Sequence, residues 1–288
     1  MSALETKVHS LFGNNVQIVS RRGIGGGCIN DSTALRLSNG DTVFLKKNTL
    51  ANPQMFEAEA VGLSRLICDG GPRVPKPIAA FTDSAHQYLL LEFLESGIRR
   101  GDYWEQFGRQ LAHLHKTVRH PLFGFEIDNF IGATPQQNET RRSWIQFFRE
   151  MRLEPQVRMA AGYLQGPLKN KLNRIMDRLD EFIVEPEGDA SILHGDLWSG
   201  NAMAGPNGEP AIIDPATYFG HREAEIAMTQ LFGRFGGRFY DAYNEYWPMQ
   251  DGWQQRLDLY NLYHMLNHVN LFGSGYVSSV ESITNTYL

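Results

Sequence analysis

Two carboxylates and one amide set the chemistry this chain can attempt. In Leu193-His194-Gly195-Asp196-Leu197-Trp198-Ser199-Gly200-Asn201, the Asn lies five residues after Asp196. Asp214 follows thirteen residues later, within Ile212-Ile213-Asp214-Pro215. Transfer of a γ-phosphoryl group passes through a loose transition state with charge on the peripheral oxygens, so the protein mainly positions and neutralises. Asp196 is suited to orient an attacking hydroxyl and accept its proton late. Asn201 and Asp214 are hard oxygen donors for Mg²⁺, which keeps several waters and takes few protein ligands. An isolated Asp-x4-Asn is common by chance. Joined to a second Asp at this distance, an upstream Lys and a helical Glu, it is far rarer. His194 reads as a loop organiser through hydrogen bonding.

Around these residues, short apolar runs flank the turn Gly205-Pro206-Asn207-Gly208. Residues 192–214 therefore read as a hairpin with polar groups at both ends. The rest of the second part reads as helical, with apolar residues at helical spacing over 103–116, 143–150, 168–183, 224–235 and 254–272. The aromatic residues along these helices are expected in the core.

The first ninety residues read as a small sheet with one helix. A strand over 16–20 precedes the glycine cluster Gly23-Ile24-Gly25-Gly26-Gly27-Cys28. Two alternating runs, 33–37 and 42–45, are joined by Ser38-Asn39-Gly40-Asp41, and Asn-Gly is a strong hairpin signal. Exposed N–H groups of the glycine loop could lie over phosphates. Lys46 is the candidate cation for the phosphates, with Lys47 as its competitor. The two point to opposite faces of a strand, and periodicity alone does not choose.

A helix is expected over 53–68, with Asn52 as N-cap, Pro53 in its first turn and Asp69-Gly70-Gly71 as its stop. Phe56, Ala60, Leu63 and Ile67 give its buried stripe. Glu57 and Glu59 flank that stripe, and either could pair with Lys46. Strands over 74–80 and 88–92 lead into Glu92-Phe93-Leu94, an extended segment that could offer backbone groups to an adenine ring. Residues 95–102 read as a link. The chain thus divides into a nucleotide-binding lobe, 1–94, and a catalytic and substrate-binding lobe, 95–288.

Composition narrows the class. The chain has 288 residues, 42% hydrophobic and 20% charged, with a formal net charge of −5 and no long run of one sign. That balance argues against a nucleic-acid partner and against an anionic membrane surface. No apolar run approaches the ~20 residues of a membrane span. The first twelve residues mix charges and do not read as a signal peptide. The two cysteines, Cys28 and Cys68, have no metal-ligand spacing. A reducing cytoplasm is the simplest compartment.

With these residues in hand, the chain resembles the fructosamine-3-kinase or ketoamine kinase family over nearly its whole length. His194 to Asn201 looks like that family's signature, and Trp198 separates it from the aminoglycoside kinases. Asp214-Pro215-Ala216, Gly220-His221-Arg222-Glu223, Glu225-Ile226-Ala227, Gly124-Phe125, Gly132, Pro135-Gln136 with Asn138, Trp144 with Phe147-Phe148, and Arg152-Leu153 fit as well. Val43 to Asn48 aligns Lys46 with the nucleotide-binding lysine. Met55 to Glu59 aligns Glu59 with its partner, and Glu92-Phe93-Leu94 matches the hinge.

The resemblance implies an α+β, protein-kinase-like bilobal fold: a small antiparallel sheet plus one helix, then a mainly helical lobe. It also implies ATP and Mg²⁺ as cofactors. The implied reaction phosphorylates the third-carbon hydroxyl of a small or protein-linked ketoamine. The unstable 3-phosphate then leaves and frees the amine, a deglycation role. Trp198 would pack on the sugar or wedge the loop. Cys28 implies either a small buried residue or a redox-dependent disulfide between otherwise monomeric chains. Asp214 is followed by Pro215-Ala216 rather than Phe-Gly, and no Ala-Pro-Glu closes an activation loop, so a small acceptor is favoured. The alternatives are a kinase of the same fold acting on an aminoglycoside, choline or sugar, and a nucleotide-holding module without turnover. The joint presence of Lys46, Asp196, Asn201 and Asp214 weighs against the latter.

Overall fold

The structure, a computed structural model, describes residues 2–25 and 30–288. It opens with a helix absent from the sequence expectation, α1 (Ala3–Phe12). Ser2 and Glu5 form a reciprocal capping box at its start, which satisfies two otherwise free donors. Leu4 and Val8 bury its inner face against a sheet.

That sheet has the order β1-β2-β3-β5-β4: β1 (Ile18–Gly23), β2 (Asp31–Leu37), β3 (Thr42–Thr49), β4 (Pro77–Thr82) and β5 (His86–Glu92). Every neighbouring pair is antiparallel. Gly40, at φ +97°, makes the β2–β3 turn, where a side chain would be strained. The two-residue period of β3 settles the lysine question. Val43 and Leu45 face the α1 side. Lys46 shares the opposite face with Phe44, which packs on the other core, whereas Lys47 falls on the Val43 side. Lys46 therefore points at the helix that follows.

That helix, α2, spans Met55–Leu66, shorter than 53–68. Its N-cap is Gln54, with no side-chain cap bond, rather than Asn52. The Asn52 carbonyl instead accepts from Met55 N–H and Gln87 Nε2, so a tertiary contact holds this turn.

The remaining residues are largely helical. α3 (Tyr103–Thr117) packs on α9 (Gly237–Tyr246), where Gly108 lies against the Phe239 carbonyl with no room for a side chain. Between them run β6 (Arg119–His120), the hairpin β7 (Asn129–Ile131) and β8 (Thr134–Gln136), α4 (Trp144–Phe147), α5 (Glu154–Met159), α6 (Gly166–Asp177) and α7 (Leu179–Phe182). Then come β9 (Ala190–Leu193), β10 (Ala202–Ala204), β11 (Pro210–Ile212), β12 (Tyr218–Gly220) and α8 (Arg222–Met228). α10 (Trp253–Phe272) is buried on most sides, and α11 (Val277–Thr286) packs on it.

Three helical expectations differ in extent. Residues 143–150 continue through a π-helical stretch, Phe148–Leu153, into α5. Pro155 cannot donate to an i−4 carbonyl, and the widened turn accommodates it. Residues 168–183 break at Arg178 into α6 and α7. The helix expected over 224–235 stops at Met228. Gly233, at φ +79°, turns the chain there, and Phe235 joins the cluster of Trp104, Phe107 and Phe239.

Candidate active site

β9 ends at Leu193 and delivers the loop that carries Asp196. Two buried groups fix it. The His194 Nε2 lies 2.8 Å from the Ile213 carbonyl, and its Nδ1 accepts from the Asp196 N–H at 3.3 Å. Burial pushes the His194 imidazole below its ordinary pKa, so the ring is neutral and can serve as donor at one nitrogen and acceptor at the other. The Glu225 carboxylate, on α8, accepts successive N–H groups from His194 and Gly195. In the sequence Glu225 stands out only within the run Glu225-Ile226-Ala227. No local pattern reveals that it cradles a loop thirty residues away. Gly195, at φ +82°, lies against the Ala216 carbonyl where a Cβ would collide.

A turn of 3₁₀ helix, Ser199–Asn201, then places the amide beside the acid. Asn201 Nδ2 lies 2.8 Å from the Asp196 carbonyl and 3.2 Å from Asp196 Oδ2. The β10–β11 hairpin returns the chain, and Ile213 N–H donates to the Asn201 carbonyl at 3.0 Å. Asp214 follows at φ +59°, the one left-handed non-glycine among the described residues. Such a conformation costs about 1–3 kcal/mol and persists only where the surroundings impose it.

Lys46 reaches this loop from the sheet. Its Nζ is 2.6 Å from Glu59 Oε1 and 2.7 Å from Asp214 Oδ1. The Lys46 side chain is 3% exposed. Burial alone would depress the ammonium, yet the Asp214 and Glu59 carboxylates outweigh it and hold the pKa above its usual value. Lys46 is therefore charged. Burial likewise pushes the Glu59 carboxyl up against the pull of Lys46. Glu57 makes no such contact, so Glu59 is the partner.

Asp196 is half-buried. Burial and the neighbouring Asp214 charge push its carboxyl well above the usual range, while the Asn201 hydrogen bond pulls the other way. A more basic carboxylate is a better acceptor for a hydroxyl proton.

These groups share one cavity of about 410 Å³. Lys46, Glu59, Asp196, Trp198, Asn201 and Asp214 all line it. Trp198 both faces the cavity and lies flat over Gly200, with Phe232 edge-on at 6.3 Å. Part of the lining corrects the expectation that helix aromatics belong to the core. Phe232, His268, Phe272 and Tyr276 line the cavity, and His268 lies 4.5 Å from the Phe232 ring.

Other expected site residues lie elsewhere. Glu92, Phe93 and Leu94 are not in that cavity. The Glu92 side chain is engaged by Arg73, and Arg22 lies over the Phe93 ring. Gly25 has open space around it. Gly26, Gly27 and Cys28 lie outside the described residues.

The donor set fits Mg²⁺. With its Nδ2 turned to Asp196, Asn201 keeps its Oδ1 as an oxygen donor, and Asp214 keeps Oδ2 beyond the Lys46 contact. Among the described residues no group of three or more His, Cys, Asp or Glu could hold a metal by itself. Two protein oxygens completed by water and phosphate is the Mg²⁺ pattern rather than that of a closed protein cage.

A five-stranded antiparallel sheet with a Lys–Glu pair, set against a helical body whose loop carries Asp196, Asn201 and Asp214, defines a phosphotransferase of protein-kinase-like fold. The fructosamine kinase family model matches residues 1–288, and the chain belongs to that family. It is 41% identical over 280 residues to a "Probable ketoamine kinase" of Synechocystis sp., covering 96% of this chain and 93% of the other. It is 42% identical over 283 residues to the chloroplastic protein-ribulosamine 3-kinase of Arabidopsis thaliana, covering 96% and 85%. A crystal structure of a candidate fructosamine-3-kinase from Thermobifida fusca superposes with a TM-score of 0.88 at 33% identity, covering 99% of this chain and 98% of that one.

Proposed function

We propose that this chain transfers the γ-phosphoryl group of ATP to the third-carbon hydroxyl of a ketoamine, free or protein-linked. The observation that carries this is the Asp196–Asn201 contact in a cavity shared with Lys46, Asp214 and Trp198. Membership of the fructosamine kinase family, and relatives named ketoamine kinase and protein-ribulosamine 3-kinase, support the acceptor class.

Residues 1–94 form the nucleotide-binding lobe in this account, and 95–288 the catalytic one. Lys46, oriented by Glu59, neutralises the phosphates. The glycine loop is the expected cover for them; of its residues Gly25 is described, and Gly26 and Gly27 lie outside the described residues. The Glu92–Leu94 backbone meets the adenine. Asn201 and Asp214 would hold Mg²⁺, which supplies charge neutralisation at the phosphate oxygens when bound. Asp196 orients the acceptor hydroxyl, whose oxygen forms the new P–O bond, and takes its proton as that bond forms. Trp198 gives the sugar an apolar face. The 3-phosphate product then expels inorganic phosphate by elimination, and hydrolysis of the resulting imine by water releases the amine.

No helix among the described residues is long and apolar enough to cross a membrane. We place the enzyme in the cytoplasm, with Cys28 as a redox-sensitive position on an otherwise monomeric chain. Equal activity with and without reductant, and no reducible dimer on a gel, would remove that role from Cys28.

The test is ATP consumption with ribulosyl-lysine and fructosyl-lysine, with choline and kanamycin as controls. Turnover is expected on the ketoamines. Turnover on a control alone would assign the site to another small hydroxyl acceptor.

A further inference from the structure

Arg73 lies just before β4, outside the cavity, yet it is bound on three sides. Its N–H donates to the Pro210 carbonyl and its own carbonyl accepts from the Ile212 N–H, both at 2.9 Å. These bonds make a single parallel bridge to Ala211 in β11. Its Nη2 lies 2.5 Å from Glu92 Oε1, and its Nη1 lies 3.8 Å from Glu209 Oε1.

Both partners matter by position. Glu92 closes β5 and opens the segment assigned to the adenine, and its Oε2 accepts from the Lys76 N–H at 3.3 Å. Glu209 braces the turn between β10 and β11, where its Oε2 accepts from the Asn207 N–H at 2.8 Å. Asn201 immediately precedes β10, and Asp214 stands two residues after β11. The far side of the same hairpin is also held. Gly97 N–H donates to the Ala204 carbonyl at 3.0 Å, and Gly97 packs on Gly205 with no room for a Cβ. The hairpin that carries both candidate cation ligands is thus gripped by the link on one side and by Arg73 on the other.

We propose that Arg73 is a positioning residue for the nucleotide. It sets the separation between the Glu92–Leu94 segment and the Asn201–Asp214 hairpin, so that base and phosphates are engaged together. This rests on the reading of the site as an ATP-dependent phosphotransferase. The Arg73 side chain is 38% exposed and its partners 30% and 20%. Ion pairs so placed add little stability. The backbone bridge to Ala211 does not depend on the guanidinium. What the side chain contributes is geometry, so its loss should appear in nucleotide binding rather than in folding.

The experiment is Arg73→Met, which keeps the aliphatic stem. Binding of a non-hydrolysable ATP analogue with Mg²⁺ is measured by calorimetry, alongside steady-state turnover of ribulosyl-lysine. The nucleotide Kd and KM should rise about tenfold, while kcat and the acceptor KM stay within about twofold. Arg73→Lys should recover part of the loss. Glu209→Gln, which loosens the same bridge from the hairpin end, should shift the nucleotide Kd in the same direction and guards against misfolding of the first variant. Unchanged nucleotide affinity in Arg73→Met and Glu209→Gln overturns the proposal. So does an equal loss toward both substrates accompanied by a large fall in Tm. Failure of the wild-type protein to bind the analogue would instead overturn the assignment of the site.

Discussion

Lys46 and Asp214, far apart in the chain, meet at 2.7 Å across the candidate site. One lies in the middle of β3 and the other follows the β10–β11 hairpin, so this contact joins the sheet to the hairpin that follows the Asp196 loop. Glu59 shares the same ammonium at 2.6 Å.

Lys46→Met leaves Glu59 buried beside Asp214 without its counter-charge. Breaking one side of a buried pair costs about 3–5 kcal/mol. Denaturant unfolding should show a loss of that order. The double variant Lys46→Met/Glu59→Leu should recover most of the stability and none of the turnover. A single variant as stable as wild type would mean that the pair does not hold the sheet to the loop.

Asp214→Asn removes a charge while keeping a side chain that tolerates φ near +59°. Folding should be preserved. The Mg²⁺ concentration giving half-maximal activity should rise by at least about tenfold. An unchanged metal titration would take Asp214 out of the cation site.

Trp198 has two contacts that imply different roles: the cavity and the backbone of Gly200. If the ring serves the sugar, Trp198→Ala should raise the acceptor KM roughly three- to tenfold and leave the nucleotide KM alone. A fall in Tm with both KM values unchanged would mean that the ring only wedges the loop.

Stability should fall on the acid side of neutrality. Burial pushes His221 down to about 4, against the pull of the Glu223 charge, and His264 down to about 3. Free imidazole titrates near 6.5. Below that value the unfolded chain binds protons that the folded chain does not. The stability of the neutral buried rings is therefore complete above about pH 6.5 and is lost as pH falls toward 4. The denaturant midpoint should decline between about pH 7 and 5 as the buried rings, once unfolded, take up protons. A flat midpoint across that range would show that these rings are not buried neutral.

The catalytic loop was legible because its chemistry is local. Asp196 and Asn201 are five residues apart, and one turn brings them together. The hairpin to Asp214 was legible from its glycine turn. The choice of Lys46 over Lys47 came from the resemblance and not from periodicity, because it depends on which face of β3 meets α2. Glu59 needed the same information; the resemblance named it, and spacing alone did not.

What escaped was long-range. Glu225 reaches back to His194 and Gly195, and no periodicity announces a carboxylate under a distant loop. Phe232 and Phe272 sit in helical patterns that read as core, yet the turn at Gly233 and the end of α10 expose them to the cavity. Asn52 had the composition of an N-cap, but Gln87 claimed its carbonyl. In each case tertiary packing overrode a local preference.

The most direct test of the central claim is Asp196→Asn, assayed for phosphoryl transfer to ribulosyl-lysine beside direct measurement of nucleotide binding. The expected result is a fall in kcat of roughly 10²–10⁴ with nucleotide affinity close to wild type. Turnover near the wild-type rate would contradict the account.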